Sequence, residues 1–151
     1  MIYRSVVDVH LILQRNGQVL LAERAGTGYA DGWLNVPGGK LENGETVLDA
    51  AIREAREEVG VHVDPRDVRF VTVIHHRNPD GETRVGFFFA TDVWQGEPVN
   101  AEPHKCARLV WTDPHQLPVN TISYSATGVS QLHNGSAFTL DGWTTSTIGI
   151  Q

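Results

Sequence analysis

Apolar residues crowd two stretches near the start of the chain, Val6-Val7-Asp8-Val9-His10-Leu11-Ile12-Leu13 and Val19-Leu20-Leu21-Ala22, on either side of Asn16-Gly17. Asn-Gly suits the positive backbone angles of a tight turn, so residues 6–24 are expected to form a β-hairpin. Residues 25–32 read as a glycine-bearing loop, 33–36 as a short strand, and Pro37-Gly38-Gly39 as a turn whose backbone can approach something closely. The period then changes. Leu48, Ile52, Ala55 and Val59 recur at helical spacing and share one stripe. Thr46 with Asp49 three residues on is a capping-box variant, and Gly60 stands where a left-handed residue ends many helices, which predicts a helix over 47–59.

Residues 69–76 and 83–94 read as strands joined across Asn78-Pro79-Asp80-Gly81, with Gly86-Phe87-Phe88-Phe89 a buried stretch. A short strand is expected at 107–111 and a second helix at 120–133, ending near Asn134-Gly135. Residues 136–151 are polar and carry no clear period, as in a peripheral tail. Strands interleaved with two helices imply an α/β fold, a mixed sheet covered by helices. No repeat or linker interrupts residues 1–151, so a single domain is expected.

Composition removes several function classes. The 151 residues suffice to bury a core without disulfides, and Cys106, the one cysteine, has no partner to pair with. A formal net charge of −6 disfavours nucleic-acid polymers, whose backbones attract clustered Lys and Arg. No apolar run approaches the roughly 20 residues of a membrane span, and the first residues lead into a strand pattern rather than a signal sequence. The expectation is a cytoplasmic protein. The glycines of residues 26–32 do not complete a dinucleotide fingerprint, and Gly38-Gly39-Lys40 is followed by Leu41 where a P-loop has Ser or Thr. His75 and His76 alternate faces on a strand and cannot both reach one zinc ion.

The polar side of the predicted helix carries the strongest signal. Glu54, Glu57 and Glu58 place three carboxylates in five positions, and residues at i, i+3 and i+4 project from one side of a helix. Such charges repel unless a cation lies between them. Mg²⁺, which prefers oxygen ligands and keeps several waters, is the natural occupant, with Mn²⁺ as a substitute. Glu57 and Glu58 are expected to be solvated.

Gly39, Glu45, Arg53, Glu54, Glu57, Glu58, Gly60 and Val61 together match Gly-x5-Glu-x7-Arg-Glu-U-x-Glu-Glu-x-Gly-U, with U aliphatic and Ala55 the one small residue at such a place. In this the chain resembles the Nudix (MutT-type) hydrolase family. The resemblance implies a Nudix fold, an α/β/α sandwich with the box helix after a Gly-Gly turn. It implies metal ligation by Glu54, Glu57, Glu58 and the Gly39 carbonyl, and an orienting role for Arg53 and Glu45. Charged helix residues also form ordinary solvated pairs, which is the alternative for those two.

Trp94-Gln95-Gly96-Glu97-Pro98, Glu102 and Trp111 resemble the later part of MutT-type enzymes, in which an acidic residue at the place of Glu102 adds a metal ligand. Glu102 is equally readable as a surface residue. The resemblance leaves the general base open between Glu54 and Glu102. It suggests that Arg24 touches substrate phosphate, against a solvated strand-end arginine, and that Asn120 contacts the base, against a helix N-cap.

The function implied is Mg²⁺-dependent hydrolysis of a nucleoside diphosphate linkage: a nucleoside triphosphate, or an oxidised one such as 8-oxo-dGTP, cut to the monophosphate and pyrophosphate. The alternatives are an ADP-ribose or nucleotide-sugar pyrophosphatase and a non-catalytic nucleotide-binding sensor of the same fold. Relatives for ADP-ribose often carry a proline about 16 residues past the box; Arg77 stands there and Pro79 lies two further on. The expected partner is a small nucleotide, with no nucleic-acid polymer and no membrane, for a monomer or homodimer.

Overall fold

Val6–Arg15 (β1) and Gln18–Arg24 (β2) form the expected hairpin in the computed structural model, which describes residues 1–143. Asn16 and Gly17 sit at φ 54° and 76°, the paired positive angles of a tight turn that matches strand twist. β1 continues beyond the hairpin and pairs in parallel with Thr83–Thr91 (β6) from Val6 to Leu13.

Leu34–Asn35 (β3) pairs with β2, and Gly38–Lys40 (β4) pairs antiparallel with Asp8, Val9 and His10 of β1. The turn expected at Pro37-Gly38-Gly39 is therefore corrected to a strand. A Cβ on Gly38 would lie 2.1 Å from the Val9 carbonyl oxygen. Glycine here permits close strand contact rather than a reversal of the chain.

The box helix, Val47–Val59 (α1), has the predicted bounds. Thr46 Oγ1 accepts from the Asp49 N–H at 3.0 Å, and Gly60, at φ 74°, donates its N–H to the Arg56 carbonyl. Its deepest face is Ala50, Ala51, Ala55 and Val59, with Leu48 and Ile52 only partly buried. Small residues at the contact bring α1 close to the sheet, and the larger pair pack along its margin.

Arg69–Arg77 (β5) runs antiparallel to β6, Cys106–Thr112 (β7) antiparallel to β2, and Phe138–Asp141 (β8) parallel to β5. The sheet order is β3-β2-β1-β6-β5-β8, with β4 beside β1 and β7 beside β2. β6 stops at Thr91 rather than Trp94, where the Thr91 hydroxyl bonds to the Asp67 and Val93 carbonyls. β8 shows that residues 138–141 belong to the sheet and not to a peripheral tail; residues 144–151 lie outside the described residues.

The second helix, Ser123–Asn134 (α2), starts three residues later than expected. The chain before it is committed to β3: Leu34 N–H bonds to the Asn120 carbonyl, and Ile122 N–H to the Leu34 carbonyl. One core cluster joins Val9, Leu11, Leu13 and Leu20 to α1; a second joins Ile12, Val19, Leu21, Ile74 and Phe88 to Tyr124 and Val129 of α2. Successive β1 residues thus feed opposite faces of the sheet, as strand alternation requires. Helices cover both faces of a mixed sheet, which is the expected α/β/α sandwich.

Candidate active site

Glu54, Glu57 and Glu58 line one cavity of about 710 Å³ together with Gly38, Gly39, Arg53, Arg24 and Glu102. α1 supplies the glutamates, and its caps and apolar face fix their direction. A Cβ on Gly39 would lie 2.3 Å from Glu54 Oε1, so glycine in β4 lets the carboxylate pack directly over the strand. The Gly38 N–H donates to Glu58 Oε2 at 3.1 Å.

Arg53 links the parts of this acidic wall. Its Nε and Nη2 reach Glu45 at 3.0 and 2.7 Å, its Nη1 reaches Glu54 at 3.0 Å and Glu57 at 3.2 Å, and its Nη2 donates to the Lys40 carbonyl at 3.2 Å. The Arg53 and Glu45 side chains are only 15% and 17% exposed, unlike a solvated surface pair. Hydrogen bonds to Glu45 above all keep the guanidinium protonated, and they hold the Glu45 carboxyl below its ordinary value.

Glu57 is open to solvent as expected, but Glu58 is only partly exposed, which corrects the expectation of solvation for that residue. Burial first, then the charge of Glu54 and a hydrogen bond with it, push the Glu58 carboxyl well above the usual carboxylate range. The charge of Glu102 adds to this, and the Gly38 N–H pulls the other way. Carboxylates held this close cost free energy unless positive charge is brought among them.

Glu102 sits in the loop between β6 and β7. That loop is stitched to the end of α1 by the Ala101 N–H donating to the Glu58 carbonyl at 3.1 Å and by the Val99 N–H donating to the Val59 carbonyl at 3.0 Å. The Lys105 and Cys106 N–H groups close a turn on the Glu102 carbonyl, and Glu102 joins the same cavity wall. Among the described residues no group of three or more His, Cys, Asp or Glu side chains is gathered as a ready-made metal cage; Arg53 holds Glu54 and Glu57 instead. The donor set is nevertheless all hard oxygen, and it includes Glu58, whose charged form is disfavoured by burial and by Glu54. It fits a divalent cation of the Mg²⁺ or Mn²⁺ kind.

Arg24 lines the cavity with its guanidinium braced by the Tyr29 carbonyl at 2.8 Å and by Thr27 Oγ1 at 3.1 Å. Asn120 is placed elsewhere. Its Nδ2 donates to the Gly32 carbonyl at 3.0 Å, it does not line this cavity, and the N-cap position of α2 belongs to Ile122. Cys106 also lines the cavity, where burial raises its thiol pKa and so disfavours the thiolate.

Several lining residues escaped the sequence reading. Lys40 and Lys105 bring positive charge to the carboxylate cavity, and nothing in their local sequence marks them. An adjoining cavity of about 570 Å³ shares Arg24, Asn35, Gly38, Gly39 and Lys40 with the first and is lined further by Asp8, His10, His76, Arg84 and Tyr124. Asp8 and His10 did leave a signal: they are polar residues inside an apolar strand, and both are buried. Asp8 accepts two hydrogen bonds from Arg84, at 2.6 and 2.7 Å, and one from the Tyr124 hydroxyl at 3.2 Å.

A carboxylate-bearing helix lies against a glycine strand and faces, on an α/β/α sandwich, a cavity in the size range of small-molecule sites. The family model described as the NUDIX domain matches residues 2–129. The chain belongs to the Nudix hydrolase family and is an enzyme of that family. It is 31% identical over 114 residues to an 8-oxo-dGTP diphosphatase of Escherichia coli strain K12, covering 74% of this chain and 86% of that one. It is 33% identical over 91 residues to an ADP-ribose pyrophosphatase of Methanocaldococcus jannaschii, covering 60% and 53%. The crystal structure of a MutT NUDIX hydrolase from Burkholderia pseudomallei superposes with a TM-score of 0.78 at 26% identity, over 86% of this chain and 99% of that one. Among the described residues no helix is long and apolar enough to cross a membrane.

Proposed function

We propose that this enzyme hydrolyses a nucleoside triphosphate, or an oxidised one such as 8-oxo-dGTP, to the monophosphate and pyrophosphate with Mg²⁺ as cofactor. The observation that carries the reading is the convergence of Glu54, Glu57, Glu58 and Glu102 on one cavity that also presents Arg24, Lys40 and Lys105. Carboxylates serve a cation, and the basic groups serve the phosphates that arrive with it. The named relative that acts on 8-oxo-dGTP matches most of the chain, which supports the choice of substrate.

Glu54, Glu57, Glu58 and Glu102, with the Gly39 carbonyl, would hold the cation. When bound, it lowers the pKa of water and neutralises charge on the leaving phosphate. The chain's own residues do the rest. Arg53 orients Glu54 and Glu57 while Glu45 anchors Arg53. Glu54 Oε1 is committed to Arg53, so the reading gives Glu102 the further task of taking the proton of the attacking water. Arg24 steadies a phosphate oxygen.

A second reading, hydrolysis of ADP-ribose or a nucleotide sugar, is favoured by the adjoining cavity, whose lining includes Pro79, and by the relative named for ADP-ribose. One panel separates the two: nucleoside triphosphates, 8-oxo-dGTP, ADP-ribose and nucleotide sugars incubated with Mg²⁺, with products identified by phosphorus NMR. Pyrophosphate release from a triphosphate supports the first reading. Release of two monophosphates from ADP-ribose at higher kcat/KM replaces it with the second.

A further inference from the structure

His76 on β5 faces the adjoining cavity, and its orientation is set from the far end of the chain. Its Nδ1 lies 2.7 Å from Asp141 Oδ2 on β8, and its ring stacks on Tyr124 with centroids 4.6 Å apart and planes 10° from parallel. Asp141 also accepts from Ser123 Oγ at 3.3 Å and from Thr127 Oγ1 at 3.2 Å. A carboxylate only accepts, so the proton of this contact belongs to Nδ1, and Nε2 of the neutral ring carries a lone pair. Among the described residues Nε2 has no protein partner, yet it is not a buried unpaired atom; that description fits His10 Nδ1. His76 lines the cavity, and Nε2 is the ring nitrogen left to meet a ligand there.

Strand pairing and close backbone contact build the frame around this imidazole. β8 pairs with β5 so that Asp141 stands opposite His76, and the Trp143 Nε1–H donates to the His75 carbonyl at 2.9 Å. At Gly142 (φ 81°) a Cβ would lie 1.9 Å from the Arg77 carbonyl oxygen, so the backbone is pressed flat onto β5. Gly86 leaves room for the Tyr124 hydroxyl, which a Cβ would meet at 1.9 Å. The family model ends at residue 129. The element that aims His76 thus lies beyond the matched region, in a part of the chain to which the family match assigns nothing.

The charges around the cavity favour a neutral donor over a phosphate. Asp8 and Glu82 line it, and Arg84 is taken up by its two bonds to Asp8. Arg24 and Lys40 lie on the wall shared with the carboxylate cavity, where the phosphates are read. The geometry points to His76 as a specificity-determining residue, its Nε2 accepting a hydrogen bond from an N–H of the substrate base while Asp141 of β8 fixes the tautomer. The inference rests on the reading of the enzyme as a nucleotide hydrolase and adds the residue that reads the base.

His76→Asn and Asp141→Asn test it in the full chain with Mg²⁺. The first keeps a donor toward Asp141 and deletes Nε2; the second removes the charge that pins the proton on Nδ1 and puts there an amide that can offer either its oxygen or its NH2, so the tautomer is no longer fixed. For each, KM and kcat are measured on the best nucleoside triphosphate and on base-free ribose 5-triphosphate. Both variants are expected to raise KM for the nucleotide about tenfold, the worth of one hydrogen bond, with kcat changed less than about twofold and KM for the base-free compound unchanged. His76→Gln, which returns an amide near the position of Nε2, is expected to recover part of the loss. Unchanged KM for the nucleotide, or an equal rise for both compounds, overturns the assignment of His76 and leaves the hydrolase reading standing. A wild-type enzyme that cleaves no nucleotide in the panel overturns both. Should His76→Asn lose its cooperative melt, the KM comparison in Asp141→Asn decides.

Discussion

Arg53 grips Glu45 with two prongs of its guanidinium, Nη2 at 2.7 Å from Oε1 and Nε at 3.0 Å from Oε2. The remaining nitrogen, Nη1, is thereby aimed at Glu54 and Glu57. Glu45, eight residues before Arg53, sets where two cavity carboxylates stand. Its Oε1 is itself held by the Glu42 N–H at 2.8 Å.

Arg53→Lys keeps the charge and loses the fork, because an ammonium is a point donor. Loss of the charge-assisted pair is expected to lower the unfolding midpoint. Turnover is expected to fall about 10- to 100-fold through misplaced Glu54 and Glu57. Steady-state kinetics and chemical unfolding of the same preparation check both; full activity in the lysine variant would show that the fork is not needed.

Gly39→Ala places a methyl group 2.3 Å from Glu54 Oε1. The backbone there is a strand, so the substitution strains the carboxylate's seat and not φ. The expected result is a kcat loss of about tenfold or more with a cooperative melt retained. An alanine variant as active as wild type would mean that Glu54 has free room to move.

Glu58→Gln removes one charge from a crowded group. Because burial and Glu54 already disfavour the charged form of Glu58, the metal-free variant is expected to melt no lower than metal-free wild type, while turnover drops by about three orders of magnitude. Mg²⁺ is expected to raise the melting temperature of the wild type and to raise that of the variant less, since a cation stabilises by binding the folded state. Thermal melts with EDTA and with Mg²⁺ give the comparison, and a markedly lower metal-free melt for the variant would contradict it.

His10 supplies a pH dependence away from the glutamates. Burial lowers its pKa from 6.5 to about 4, against the raising influence of Asp8; its ring stacks on Phe88 with centroids 4.2 Å apart. The unfolded chain takes up this proton before the folded one, so the stabilising contribution is complete above pH 6.5 and is lost as pH falls toward 4. The span corresponds to about 3 kcal/mol. His10→Phe preserves the stack, and its urea midpoint is expected to fall less than that of wild type between pH 7 and pH 4.5. Parallel pH slopes for the two proteins would remove His10 as the cause.

The sequence alone determined what depends on neighbours a few residues apart. The hairpin at Asn16-Gly17, the bounds of α1 and the common side shared by Glu54, Glu57 and Glu58 all follow from turn chemistry and helical period, and the structure reproduces each. Tertiary structure decided whatever depends on partners distant in the chain. Gly38-Gly39 looks like a turn until β1 is beside it; Asn120 shows no partner in the sequence until its amide meets the Gly32 carbonyl; residues 138–141 look like a tail until β5 offers an edge to pair with. Glycine, asparagine and short polar stretches have weak local preferences, so long-range hydrogen bonds choose their conformation. The second cavity belongs to the same class: Asp8, His76, Arg84 and Tyr124, which line it, and Asp141, which holds His76, are spread from β1 to β8, and only the fold makes them neighbours.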